Sequence, residues 1–201
     1  MKFKIYSHRF AENIVKDDLG FKDDYEELIN VIEHIKDFDL EDRFKLEKQK
    51  RPNTKSLSTA INGLIRERLE SCGWNSESAI FKEAEYIKGN TSYWRLDIAK
   101  NNIAIEVAFN HQEATAHNIV KPVLAAELNH VEKAIQSRMG VIICATEHLK
   151  KQGGFDSAIG TYERFISFMR PYNNIVTIPL LIIGLDAPDS FKIIDKEINR
   201  I

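Results

Sequence analysis

The sequence predicts an α/β fold, a mixed β-sheet core flanked by helices. Three observations predict it. Hydrophobic residues keep a helical period up to Gly73. From Ala79 to Phe109 the period falls towards two, as in half-buried strands. Beyond Thr115, helical stretches alternate with short apolar runs, the order of a sheet whose strands are joined by crossovers.

Taken in order, the first helix is predicted over 24–38, with Leu28, Val31, Ile32 and Ile35 on one face and Asp23 or Asp24 as its cap. The stretch 41–55 is polar and basic, with a Pro52–Asn53 break, and is predicted as a loop or as a helix followed by a loop. Ser56 is predicted to cap a second helix with Leu57, Ile61, Leu64, Ile65 and Leu69 as its buried stripe and Gly73 as its stop. Strands are predicted over 79–87, 93–99 and 103–109. A long helix follows over 115–138, its stripe including Ile119, Val123, Leu124 and Leu128, with Pro122 tolerated as a kink or restart. A buried strand over 140–145, a helix over 157–169 and a last buried strand over 177–184 complete the order.

The composition excludes several classes. The 201 residues carry 28 Lys+Arg and 30 Asp+Glu, a formal net charge of −2, so a general nucleic-acid coat is excluded and any DNA binding must come from a local basic patch. The length suits a single domain over 1–201 that buries a core without staples. Cys72 and Cys144 make no disulfide framework, and neither has a partner at zinc-ligand spacing. The opening residues lack the apolar segment of a signal peptide, and the longest apolar run, 178–183, is too short to span a bilayer. The expectation is a soluble, cytoplasmic protein with no membrane partner.

Chemistry concentrates between Trp94 and Phe109. Asn101–Asn102 suits a two-residue hairpin turn, because Asn tolerates φ > 0. Lys100 then pairs with Ile103, Ile98 with Ile105, and Asp97 with Glu106. The period of two sorts Trp94, Leu96, Ile98, Ile103, Ile105, Val107 and Phe109 onto a core face. Arg95, Asp97, Ala104, Glu106, Ala108 and Asn110 share the other. Two opposed carboxylates repel. Solvent, Arg95 or Lys100, a shared proton, or a divalent cation must offset that. Hard cations such as Mg²⁺ take oxygen ligands from one or two carboxylates, water and phosphate, which suits phosphodiester hydrolysis. A solvated face bridged by Arg95 is the other reading, and a turn shifted by one residue would separate the acids.

Asp97-x8-Glu106-Val107-x-Phe109 resembles the metal-binding hairpin of type II restriction endonucleases of the BglII and BstYI group, with BamHI more distant, within the PD-(D/E)XK nuclease fold. Tyr6-Ser7-His8, Ser58-Thr59-Ala60-Ile61-Asn62, the run Leu69 to Trp74, the run Met139 to Ile143, Tyr162-Glu163 and the run Leu180 to Leu185 resemble the same group, in order and spacing, over most of the chain. The resemblance implies a restriction-endonuclease-like mixed sheet. It also implies a homodimer on palindromic double-stranded DNA, cut with Mg²⁺ to leave 5′-phosphates, with a GATC-centred site suggested by close relatives. Asp97 and Glu106 match the family's carboxylates, and the Val107 carbonyl matches a metal-ligand position. Asn110, His111 and Ser157 match positions that contact base edges, where Asn bonds adenine bidentately. Plain strand-end, solvent and helix-cap roles are the alternatives for these three. The basic run Arg43, Lys45, Lys48, Lys50, Arg51 and Lys55 suits phosphate contacts or an ordinary solvated face. The resemblance also places helices after Thr115 at the dimer interface.

One position departs from the pattern. Where the family usually has Lys, Glu or Gln, two residues after the Glu, this chain has Ala108, which can neither orient nor deprotonate a water. The chain is then an inactivated variant, a protein that binds but cuts poorly, or one in which another group such as His111 or Glu113 takes the role. The alternatives to an endonuclease are a sequence-specific DNA-binding dimer without cleavage and a repair or junction nuclease on the same fold.

Overall fold

A computed structural model describes residues 1–87, 94–127 and 130–201. Its elements are β1 (Phe3–His8), α1 (Ala11–Asp17), α2 (Leu19–Glu33), α3 (Asp37–Lys50), α4 (Ser58–Ser71), β2 (Asn75–Ala79), α5 (Ala84–Ile87), β3 (Arg95–Lys100), β4 (Ile103–Ala108), α6 (Thr115–Ala126), β5 (Met139–Ala145), α7 (Glu147–Gln152), α8 (Tyr162–Met169), β6 (Leu180–Leu185), β7 (Phe191–Ile194) and β8 (Glu197–Arg200). A short 3-10 turn, Gln112–Ala114, leads into α6.

Six strands form one sheet in the order β1-β6-β5-β4-β3-β2. The ladders β4–β5 and β5–β6 are parallel and the other three are antiparallel. Strands β7 and β8 make a separate hairpin. Helices cover both faces. On one, Leu28, Ile32, Phe44, Ile61 and Ile65 pack against Ile98, Ile105, Val141 and Ile183. On the other, Ile119 and Val123 of α6 and Phe165 and Met169 of α8 pack against Ala108, Ile142, Leu180 and Ile182. Strands β4, β5 and β6 are buried at every residue, which is why they read as unbroken apolar runs. Each fully buried Ile or Leu there contributes roughly 1.5–3 kcal/mol. The predicted α/β mixed sheet is the observed one.

Several boundaries differ for identifiable reasons. Helix α2 starts earlier than predicted, because Asp18 rather than Asp23 or Asp24 caps it, accepting from the Gly20 N–H at 2.8 Å. The chain then turns at His34 and restarts as α3, where Asp39 accepts the Lys36 N–H at 2.9 Å. Stretch 41–55 is thus mostly helix, with the loop beginning at Arg51. Ser56 sits one residue before the α4 cap, its Oγ taking the Ser58 N–H at 3.4 Å.

The strand predicted over 79–87 is β2 followed by α5; the Ile80 N–H continues the pairing to the Trp94 carbonyl at 2.8 Å. Tyr93 and Leu128 lie outside the described residues. Helix α6 stops at Ala126, far short of residue 138. The returning chain instead runs beside Ile80–Lys82, where Lys82 donates to Glu132 and Ala134 to Ile80. Val131 and Ile135 are partly buried from that non-helical backbone, against Ile80, Phe81 and Leu96. The helix predicted from 157 begins at Tyr162, because 157–158 form a turn whose Ala158 carbonyl accepts the Gln112 N–H at 2.7 Å, and Ile159 then bridges to His111.

Pro122 lies inside α6 without ending it. Gly140 of β5 lies beneath: a Cβ there would stand 2.7 Å from Pro122 Cβ and 2.6 Å from Leu180 Cδ1. Among the described residues, no helix is long and apolar enough to cross a membrane.

Candidate active site

The β3–β4 hairpin has the predicted register, with pairs Lys100–Ile103, Ala99–Ala104 and Ile98–Ile105 and Asn101 at φ 46° in the turn. The ladder then gives way to a side chain. The Val107 N–H donates to Asp97 Oδ2 at 2.7 Å, filling the place of a strand carbonyl. On the other flank of Asp97, Glu77 of β2 takes φ 51°. These distortions end the strict alternation. Leu96 and Trp94 pack with Ala99 and Ala104, not on the face of Ile98 and Ile105 as the period predicted.

Asp97 and Glu106 come together as predicted, with their charges coupled. Glu106 is 2% exposed. Burial above all, and then the Asp97 charge, push its carboxyl up to about 8, against the pull of Lys121. Asp97 is also raised, by burial, partly offset by the Val107 N–H. The offsetting cation is neither Arg95 nor Lys100. Among the described residues Arg95 Nε is buried without a hydrogen-bond partner, and Lys100 turns to Asp24 and Glu27 at 3.3 and 2.7 Å. Lys121 of α6 makes the contact instead, its Nζ standing 2.5 Å from Glu106 Oε2. Among the described residues, Glu106 Oε1 is buried with no hydrogen-bond partner.

The sequence reading missed Lys121. The signal was present: it is the lone charge between His117 and Glu127, in an otherwise apolar stretch of the predicted helix. Asn118, one turn earlier on α6, was also missed. Its Nδ2 donates to Asn110 Oδ1 at 2.8 Å.

Ala108 is 2% exposed and packs with Ile119, Val123 and Ile142. His111 and Glu113, offered as substitutes for the missing polar group, are exposed and face each other at 3.7 Å. The Val107 carbonyl accepts the Phe109 N–H at 3.3 Å.

Beyond β4, the predicted base-contact residues converge. His111 bridges to Ile159, and the Gly160 N–H donates to the Asn110 carbonyl at 3.2 Å. This brings the exposed Asn110 and His111 beside the loop that carries exposed Ser157. The loop after α3 meets the same region, the Leu57 N–H donating to the Gly153 carbonyl at 2.9 Å.

The basic run divides. Arg43 is held by Glu47 and Glu67 at 3.1 and 2.7 Å, Lys45 lies 3.7 Å from Glu41, and Lys48 is held by Glu197. Arg43 and Lys48 are committed within the protein, whereas the Lys45 side chain is more than half exposed. Lys50 lies 3.9 Å from Glu47, and Arg51 and Lys55 are exposed in the loop.

The donors fit a hard divalent cation. The buried Glu106 carboxylate and the partly buried Asp97 repel, and one oxygen of Glu106 lacks a partner among the described residues. Among the described residues no cluster of three His, Cys, Asp or Glu forms, so the site is no all-protein cage. One or two carboxylates with open positions for water and phosphate are the ligand set expected for Mg²⁺.

Comparison with known proteins gives the family and the fold. The profile of the family described as restriction endonuclease BglII/BglIII matches residues 3–185. The fold is similar to the crystal structure of restriction endonuclease BglII complexed with a DNA 16-mer, with a TM-score of 0.66 and 15% identity, covering 96% of this chain and 80% of that one. It is also similar to free BglII, with a TM-score of 0.51 and 15% identity, covering 92% and 79%. No curated protein matches the sequence. A family profile spanning nearly the whole chain, and a sheet of the same fold, lead to the same conclusion: the chain belongs to the BglII/BglIII family of restriction endonucleases, site-specific DNA endonucleases.

Proposed function

We propose that this chain is a Mg²⁺-dependent type II endonuclease, with residues 1–201 as a single domain. It works as a cytoplasmic homodimer on a short palindromic duplex, GATC-centred as in the group it resembles. The observation that carries the reading is the Asp97–Glu106 pair, Glu106 buried and Asp97 partly so, with Glu106 Oε1 unpartnered among the described residues. Asp97, Glu106 and the Val107 carbonyl would hold the ion. The chemistry Mg²⁺ supplies there is neutralisation of phosphate charge and a more acidic water.

The protein's own residues do the rest. The Val107 N–H fixes Asp97, and Lys121 fixes Glu106. Asn110, His111 and Ser157 read base edges, while Lys50, Arg51 and Lys55 hold phosphates. Asn110 has its amide oxygen committed to Asn118, which leaves its NH₂ to donate. In the reaction, water oxygen bonds to phosphorus as the P–O3′ bond breaks. The products are a 5′-phosphate and a 3′-hydroxyl, whose proton derives from the water.

Ala108 favours a second reading, a dimer that binds its site without cutting. The test is digestion of unmethylated DNA with Mg²⁺ or Mn²⁺, against EDTA. Discrete fragments whose ends share one palindrome are expected. Specific binding without fragments in either metal selects the second reading.

A further inference from the structure

We propose that Lys121 supplies from helix α6 what strand β4 lacks at position 108, and is the positioning residue that holds Glu106 for hydrolysis. The inference rests on the endonuclease reading above and deepens it.

Along the outward run of β4, residues 106, 108 and 110 share one face. Helix α6 touches both ends of that run. Lys121 Nζ lies 2.5 Å from Glu106 Oε2, and Asn118 Nδ2 lies 2.8 Å from Asn110 Oδ1. These two α6 residues are three apart, so they lie on one helix face. Ala108 sits between the two contacts, 2% exposed, against Ile119 and Val123 of the same helix. A side chain of Lys or Gln length at 108 would have to displace that packing. Ala108 therefore serves as the seat of α6, and a small residue there is what lets Lys121 reach the strand.

The other polar groups near the hairpin do not compete for the role. Lys100 is held by Asp24 and Glu27, and His111 and Glu113 face each other in solvent. Lys121 is 12% exposed. It grips one Glu106 oxygen and leaves the other, Oε1, without a partner among the described residues. A rotating carboxylate is thereby fixed with one oxygen turned to a ligand. Arg at 121 keeps the charge and a donor, whereas Met keeps the volume without either.

The experiment compares wild type, Lys121→Met and Lys121→Arg. It measures cleavage of unmethylated DNA in Mg²⁺, Mn²⁺ affinity by calorimetry without DNA, and thermal melting. Wild type is expected to cut. Lys121→Met is expected to cut about 100-fold more slowly, the scale of losing one preorganised charged donor. It is expected to bind Mn²⁺ several-fold more tightly, because a competing cation has left the carboxylates, and to melt within a few degrees of wild type. Lys121→Arg is expected to recover to within about tenfold of wild type.

Lys121→Met cutting at the wild-type rate overturns the inference and leaves the endonuclease reading standing. Joint loss of cleavage, Mn²⁺ affinity and melting temperature also overturns it, since that is the signature of a merely structural lysine. A wild-type chain that cuts nothing overturns both, and the wild-type lanes alone show it.

Discussion

The β3–β4 hairpin carries the same inventory at each end, two carboxylates and one lysine, and sets it to opposite uses. At the turn end, Lys100 lies between Asp24 and Glu27. Asp24 also accepts from Asn101 Nδ2, and Glu27 from Trp74 Nε1, both at 2.9 Å. Burial works against the Glu27 charge, but the bonds from Lys100 and Trp74 outweigh it and hold the carboxyl below its ordinary value. At the open end, Lys121 serves Asp97 and Glu106, and both carboxyls are raised, chiefly by burial. One oxygen there has no partner. Charge count does not separate the two ends. Hydrogen bonds do: the turn-end carboxylates are held by Lys100, Asn101 and Trp74, whereas an oxygen at the open end is left unpaired among the described residues.

Breaking one pair at each end gives the largest contrast. Glu106→Gln should lower cleavage on the order of 10³-fold, as expected for removal of a group that stabilises the transition state. Glu27→Gln should leave it within about twofold, read in the same assay. Equal losses would erase the distinction between the two ends.

Stability should invert the ranking. Lys100→Met leaves buried Asp24 without its cation and should cost about 3 kcal/mol in urea unfolding. Glu106→Gln should stabilise the metal-free protein at pH 8.5. The folded state holds the Glu106 proton up to about pH 8, whereas the unfolded chain releases it near 4.5. Stability from that proton is therefore full below 4.5 and is lost as pH rises through 8. The variant should melt roughly 5 °C higher than wild type at pH 8.5 and about level with it at pH 4.5.

The same carboxyl should govern metal uptake. Mn²⁺ affinity should rise about tenfold per pH unit up to about pH 8 and then level, because the ion must displace a proton. A flat profile from pH 6 to 9 would show that Glu106 is already ionised. The smallest effects belong to the phosphate contacts. Arg51→Ala and Lys55→Ala should each reduce the salt-dependence slope of DNA binding by about 1. Lys48→Ala, whose charge is spent on Glu197, should leave that slope unchanged.

What was legible in the sequence is what local periodicity controls. The turn at Asn101–Asn102 sets the first three pairs, and with them the meeting of Asp97 and Glu106. The buried parallel strands were legible for the same reason. Leu96 and Trp94 were misplaced because the Asp97 side chain intrudes on the ladder, and a strict period of two cannot contain that. Lys121 stayed hidden because its contact depends on how close α6 lies to the sheet, a tertiary distance. The end of α6 was missed because Val131 and Ile135 satisfy a helical spacing while packing on the core from non-helical chain. Arg43 and Lys48 were read as available charge, and only the packing of α3 against α4 and β8 spends them.

Gly140 works as a spacer of zero thickness. A methyl group there meets the Pro122 ring at 2.7 Å, and a proline ring has no far end to swing aside. Lys121 is the residue next to it. Gly140→Ala would therefore act as a shim, lifting the helix and drawing the ammonium back from the carboxylate without touching either. The reach of a charged arm on one element is set by the hydrogen atom that stands for a side chain on another, two strands from Asp97.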